Sequence, residues 1–359
     1  MRHLVVGAGV LGLMTARELV LRGEKVCVLE AGEVGRQASW AGGGIISPLY
    51  PWRYPPAVSV LAAWAQVAYP ELVMALCRDT GIDAQYQQTG LVMLDAEEGH
   101  EARAWSEIYG RKIELVSGHE VSRRWPGLKP QGDALWMPEI AHVRNPRLLK
   151  ALLLDCQQRG VDIKVYSPLT HLECSQDTVR AAVDAAGHRY EADQFLLCAG
   201  AWTADLLRPW GWELPIIPVR GQMLAYRCLP GELSSMVMLR GRYLIPRRDG
   251  LVLAGSTLED VGFDAGVTEQ AKADLHASAV SIWPDLRDRQ PDYHWSGLRP
   301  GSPEGVPCMG RGPMQNLWIS AGHFRNGLVL APASARLMAE MMLSEAPWTD
   351  PAPYAPQPL

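Results

Sequence analysis

The sequence predicts an α/β fold with two sheets, one of them interrupted in sequence by the other. Three observations carry that prediction. The first thirty residues alternate strand, helix and strand. Glycine-rich strand ends recur near residues 200 and 322. Between them lie strand-rich blocks at 86–140 and 215–255 that do not continue the opening pattern.

Taken in order, His3 to Val6 form a short apolar run that ends at Gly7, as a buried strand would. From Val10 to Arg22 the apolar residues Leu11, Leu13, Met14, Leu19 and Val20 fall at helical spacing, and Gly23 stands where a helix would stop. Lys25 to Glu30 form a second strand ending in an acid. Gly7, Gly9 and Gly12 are spaced G-x-G-x-x-G, and Glu30 lies eighteen positions beyond the last of them. Strand, glycine turn, helix, strand and acid together make up a dinucleotide-binding unit. Its glycines serve a tight turn, close approach of backbone to pyrophosphate, and close packing of helix on strand. The helix N-terminus offers free N–H groups to phosphate, and Glu30 would accept hydrogen bonds from ribose hydroxyls.

Next comes GRQASWAGGGIISP, Gly35 to Pro48, where a nicotinamide enzyme would continue its parallel sheet. Ser39 and three consecutive glycines make a bare backbone suited to passing beside a large planar ligand. QQTGLVMLD reads as a short strand, and Glu101 to Tyr109 as a helix. From Pro146, PRLLKALLLDCQQRG reads as a helix leading into VDIKVY. DQFLLCAGAWT repeats the theme of apolar strand, glycine and helix start at Ala199-Gly200. RYLIPRRDGLVLAGS alternates as a strand pair. LWISAGHFRNGLVLAP sets a last strand against Gly322 and Gly327 before a final helix. Three separated glycine-rich strand ends around one ligand imply a cofactor longer than a mononucleotide, and FAD is the economical reading.

Composition narrows the rest. A net charge of −5 and a pI near 6.0 argue against nucleic acid or an anionic membrane as partner. The apolar run Leu4 to Ala16 is too short to span a bilayer and holds three glycines. Seven scattered cysteines with no C-x-x-C indicate reduced thiols in a cytoplasm. No histidine pair has metal-ligand spacing, so no metal site is expected. The tail PWTDPAPYAPQPL reads as a solvated end.

The stretches VVGAGVLGL with Glu30, RQASWAGGGI, AHVRNPRLLKAL, FLLCAGAW, RYLIPRRDG with GST, SGLRPGSPEG and GHFRNGLVLAP span most of residues 1–335. By them the chain resembles the D-amino-acid oxidase family of flavoproteins, most nearly its glycine-oxidising branch of thiamine biosynthesis. The resemblance implies an FAD-binding Rossmann-like domain from residues 1–85, 145–212 and 295–346. A second, antiparallel-sheet substrate domain would comprise 86–144 and 213–294, with 347–359 a proline-rich tail. Gly7, Gly9, Val10, Leu11, Gly12, Glu30 and Ala31 match the adenosine and pyrophosphate contacts. Arg36, Gln37, Ala38, Gly42, Gly43 and Gly44 match the segment lining the flavin ring, and Leu169 a main-chain contact at the adenine end. His323, Phe324, Arg325, Asn326, Gly327, Leu328 and Val329 match the turn and helix start at the flavin's pyrimidine edge. There the helix dipole can offset the negative charge of reduced flavin.

Arg299 matches the arginine that clamps the substrate carboxylate, Tyr243 the tyrosine that assists it, and Arg325 a second substrate-side arginine. Independently of any family, a carboxylate calls for a planar bidentate donor, which arginine supplies and lysine does not. The implied reaction is hydride transfer from the substrate Cα to non-covalent FAD, with no protein acid or base in that step. It yields an imine, then a 2-oxo acid and ammonia, with hydrogen peroxide from dioxygen. The implied partners are a small amino acid and dioxygen, with no nucleic acid or membrane, in a cytoplasmic homo-oligomer for which a homotetramer is one arrangement. A sarcosine-oxidase-like enzyme would carry a flavin-tethering cysteine near Leu298-Arg299, where none stands; Cys308 lies nine residues beyond Arg299. A D-amino-acid dehydrogenase, or a flavin-bound structural or tRNA-associated protein, are the other readings.

Overall fold

A computed structural model describes residues 1–358. The strands Arg2–Val6, Lys25–Leu29, Asp162–Lys164, Gln194–Leu197 and Leu317–Ala321 form a parallel sheet, edged by the antiparallel strand Cys308–Arg311. Arg2–Val6 lies at its centre, between Lys25–Leu29 and Gln194–Leu197. Parallel strands buried on both faces require continuous apolar runs, and RHLVV, KVCVL, QFLL and LWISA supply them. The helices Val10–Leu21, Asn145–Gln158 and Gly327–Met342 pack with Pro56–Thr80 in one apolar cluster on this sheet. The opposite face carries the antiparallel strands Leu169–Ser175, Thr178–Asp184 and Arg189–Glu191.

The second sheet has eight strands. Its order runs Tyr293–Gly301, Ile217–Arg227, Leu251–Gly255, Arg242–Pro246, Met236–Leu239, Leu91–Met93, Ala134–Met137, Glu114–Val116. It is antiparallel except where Met236–Leu239 pairs in parallel with Leu91–Met93. That junction joins two passes of the chain separated by more than a hundred residues, so no hairpin dictates its direction. The helix Glu269–Ile282, begun by a Thr268 side chain accepting from Ala271 N, covers one face with Leu275, Ala279 and Ile282.

Two features depart from the sequence reading: the boundary expected between residues 294 and 295 falls inside the strand Tyr293–Gly301 of the second sheet, and the tail is anchored. The proline-rich tail is not a solvated end. Trp348 packs on Trp64 at 5.3 Å, and Tyr354, 2% exposed, donates to the Ala57 carbonyl at 2.8 Å. Two aromatic anchors outweigh the prolines, whose backbone needs no ladder partner. Pro56–Thr80, at 25 residues, is also long and apolar enough to cross a membrane by length and composition. In the fold it is a core helix. It buries Leu61, Ala65, Tyr69, Val73 and Leu76, and Tyr69 donates to the Leu328 carbonyl.

Candidate active site

The two sheets share one cavity of about 550 Å³, walled by the glycine-rich strand ends of the first and by strands of the second. On the first sheet, Gly7 stands at φ +103°, and a Cβ there would strike the Cys198 carbonyl. A Cβ on Gly12 would collide with the Gly7 carbonyl, so Gly12 serves helix-to-strand packing and does not line the cavity. The helix begun at Gly9 has no side-chain cap of its own. Instead Val10 N donates to Ser39 Oγ at 3.0 Å, tying the helix start to the segment after Glu30. Glu30 is oriented by two backbone donors, Ala8 N on Oε2 at 2.8 Å and Gly32 N on Oε1 at 3.0 Å. Each oxygen keeps a lone pair for a hydroxyl. Ala31 and Leu169 complete this wall.

The arc Gly42–Gly44 crosses the cavity between the sheets. Asn145 Nδ2 donates to the carbonyls of Ser39 at 2.9 Å and Gly42 at 3.0 Å. Arg247 Nη2 donates to the Gly43 carbonyl at 2.8 Å. With the Gly42 and Gly43 carbonyls held from behind, planar trans peptides turn the next N–H groups, those of Gly43 and Gly44, the opposite way. Neither finds an acceptor among the described residues. A Cβ on Gly43 would come within 2.7 Å of Ile245, and one on Gly44, at φ +85°, would strike the Val143 carbonyl. A bare arc with two free donors fits the edge of a flat, acceptor-rich ring, as the flavin of FAD has.

Arg299 sits on Tyr293–Gly301 opposite Val219, with its guanidinium lying over Gly221, where a Cβ would collide with both Nη atoms. Nη2 donates to Ser256 Oγ at 2.9 Å and Nη1 to the Thr257 carbonyl at 3.1 Å. That leaves three of its five N–H donors. Burial draws its pKa below the usual arginine range, opposed by neighbouring Tyr243 and Glu259 and reinforced by the like charge of Arg325. Tyr243, 7% exposed, directs its hydroxyl at Met223 Sδ, 3.4 Å away. Arg325 lines the same cavity half-buried, and neither arginine has a carboxylate partner among the described residues. Two cations without an acid suit an anionic guest.

His323 is buried, bonded to Ser334 Oγ at 3.1 Å, and burial pushes its pKa down to about 3. It is neutral, and braces the turn Phe324–Asn326 before the helix Gly327–Met342. Of the residues expected at the cofactor, the cavity gathers Gly7, Gly9, Val10, Leu11, Glu30, Ala31, Gln37, Ala38, Gly42, Gly43, Gly44, Leu169, His323, Phe324, Arg325, Gly327 and Leu328. Gly12, Arg36, Asn326 and Val329 stand outside its walls. Arg36 is exposed, paired with Glu33 at 3.0 Å and lying over the Trp40 ring, while Asn326 and Val329 are buried in the fold. Sequence reasoning missed Asn145, Arg247, Ser256 and Trp202. The first two lie inside AHVRNPRLLKAL and RYLIPRRDG, but their target carbonyls lie about a hundred residues or more away in sequence.

Comparison with known proteins extends over nearly the whole chain. The family described as DAO, FAD dependent oxidoreductase, matches residues 2–341. A glycine oxidase of Pseudomonas aeruginosa is 48% identical over 99% of this chain and 98% of its own length. The bifunctional protein ThiO/ThiG of Synechocystis is 30% identical over 95% of this chain and 51% of that protein. Among solved structures, glycine oxidase from Geobacillus kaustophilus superposes with a TM-score of 0.93. It is 26% identical, covering 99% of this chain and 98% of that one.

Proposed function

The chain belongs to the DAO family of FAD dependent oxidoreductases, and on that premise we propose that it oxidises glycine and other small amines or D-amino acids to the imine. The observation that carries this reading is the single cavity joining the Gly42–Gly44 arc to Arg299, Tyr243 and Arg325. FAD held there would supply the hydride acceptor and, with dioxygen, the route to hydrogen peroxide. Gly7, Gly9 and the helix start at Val10 would hold its pyrophosphate, Glu30 a ribose, and Gly43 and Gly44 N–H the ring edge.

Arg299 clamps the substrate carboxylate through its free N–H groups, and Tyr243 adds a hydroxyl donor. Arg325 contributes a second positive charge. Fixing the carboxylate orients the Cα–H bond, which is the chain's main contribution to rate. No chain group moves a proton in that step. The one carboxylate among the described wall residues, Glu30, is engaged by Ala8 and Gly32, and His323 is neutral and bonded to Ser334. Water then hydrolyses the released imine, giving glyoxylate and ammonia from glycine. Non-covalent attachment is supported by the sequence around Leu298 and Arg299 on the cavity wall, where no cysteine stands. The ThiO/ThiG relative supports a role in supplying the glycine imine for the thiazole of thiamine. We place the enzyme in the cytoplasm as a homo-oligomer without nucleic-acid or membrane partners.

Purified protein is expected to be yellow, to release its flavin on acid precipitation, and to yield peroxide with glycine, sarcosine and D-alanine but not L-alanine. With the carboxylate fixed, inverting Cα puts the side chain or amine where the hydrogen must point. Absence of peroxide from glycine, or efficient use of L-alanine, would contradict the reading. Flavin retained on the denatured polypeptide would move the assignment to a covalent flavoenzyme.

A further inference from the structure

Arg247 follows the strand Arg242–Pro246 and is 6% exposed, yet it has no acid for a partner among the described residues. Its bonds all go to neutral acceptors: His142 Nδ1, the Val143 carbonyl and the Gly43 carbonyl, each at 2.8 Å. The nearby carboxylates are committed elsewhere, Asp249 to Arg144 at 2.6 Å and Asp83 to Arg248 at 2.8 Å, and both side chains lie half in solvent at the surface. His142 does not compensate the charge. Burial, aided by the charges of Arg247 and Arg248, pushes its pKa down to about 3, so it is neutral. Burial lowers Arg247 itself to about 9, which leaves it charged at neutral pH. An unpaired buried cation is costly, by several kcal/mol on general grounds. A carbonyl clamp by itself does not require one, because a neutral amide also donates hydrogen bonds.

The charge lies directly behind the Gly43 carbonyl, on the side of the arc opposite its free N–H groups. If FAD occupies the cavity, as proposed above, its ring would lie on the N–H side of that arc, with the charge of Arg247 behind it. We infer that Arg247 is a positioning residue that also acts through its charge. It fixes the Gly43 and Gly44 N–H groups toward the flavin, and it lends a positive charge that favours the reduced cofactor. The backbone clamp needs the planar fork. The electrostatic role needs only the charge.

Measurements on flavin-loaded protein separate the two roles. The two-electron reduction equilibrium of the bound flavin is measured against a redox dye in wild type, Arg247→Gln and Arg247→Lys, alongside FAD affinity. Arg247→Gln is expected to shift the equilibrium toward oxidised flavin at least tenfold, about 30 mV for two electrons. At about pH 6, where a lysine lowered as far as Arg247 still keeps its proton, Arg247→Lys is expected to stay within threefold of wild type while binding FAD more weakly. An unchanged equilibrium in loaded Arg247→Gln overturns the inference, as does a tenfold shift in loaded Arg247→Lys at that pH. Should the glutamine variant not fold, the lysine variant decides alone: raising the pH until its amine loses the proton must shift the equilibrium toward oxidised flavin relative to wild type, and the absence of such a shift overturns the inference. A wild-type protein that holds no FAD or makes no peroxide from glycine overturns the function reading instead, so the two failures are distinct.

Discussion

At the scale of the residue, Arg299 can lie where it does only because Gly221 has no side chain. The guanidinium lies on the bare backbone of the neighbouring strand, held by Ser256 and Thr257. Gly221→Ala would force the fork off its seat without touching the cofactor wall. FAD content should therefore persist, while apparent glycine affinity falls by tenfold or more, the equivalent of about 1.4 kcal/mol. Steady-state kinetics on the flavin-loaded variant checks this, and a variant with normal KM would show that the seat is not needed. That Arg299 and Tyr243 would share one cavity was legible in the sequence, Arg299 through the family pattern and the bidentate argument, Tyr243 through the family pattern alone. Gly221 was not, because its reason is a contact across a strand pair that no local pattern announces.

At the scale of the element, the arc Gly42–Gly44 is shaped from behind. Its three glycines were legible as bare backbone, since G-G-G after Ser39 offers no side chain to pack. The direction of its N–H groups was not, because it is set by Asn145 and Arg247 arriving from distant elements. Asn145→Ala would leave the Ser39 and Gly42 carbonyls without their donor, at about 1–3 kcal/mol for each buried group. We expect FAD dissociation to rise by at least tenfold in that variant while substrate affinity of the loaded protein changes little. Fluorescence titration of the apoprotein with FAD measures it, and unchanged FAD affinity would show that the arc holds its shape unaided.

At the scale of the molecule, the interleaving of two sheets was readable from recurring glycine-rich strand ends. The parallel junction at Met236–Leu239 and the anchored tail were not, since both depend on pairings far apart in sequence. Burial at this scale also sets the response to acid. His142 and His323 are neutral in the fold, with pKa near 3, but titrate at about 6.5 in the unfolded chain. Below about pH 6.5 the unfolded chain thus binds more protons, and each buried histidine removes up to about 1.4 kcal/mol of stability per pH unit. The Tm should fall from pH 7 to pH 5, and less steeply in His323→Gln; equal slopes would remove His323 from the account. The site too belongs to the whole molecule, because one sheet brings the glycine-rich strand ends to the cavity and the other brings Arg299 and Tyr243. The carboxylate clamp is tested most directly by mixing glycine anaerobically with flavin-loaded wild type and Arg299→Lys and following flavin bleaching. Wild type should bleach with saturation. Arg299→Lys, which keeps the charge but loses the fork, should need roughly a hundredfold more glycine, a loss of about 2–3 kcal/mol in charge-assisted hydrogen bonding. Bleaching of the lysine variant at wild-type glycine concentrations would contradict the clamp.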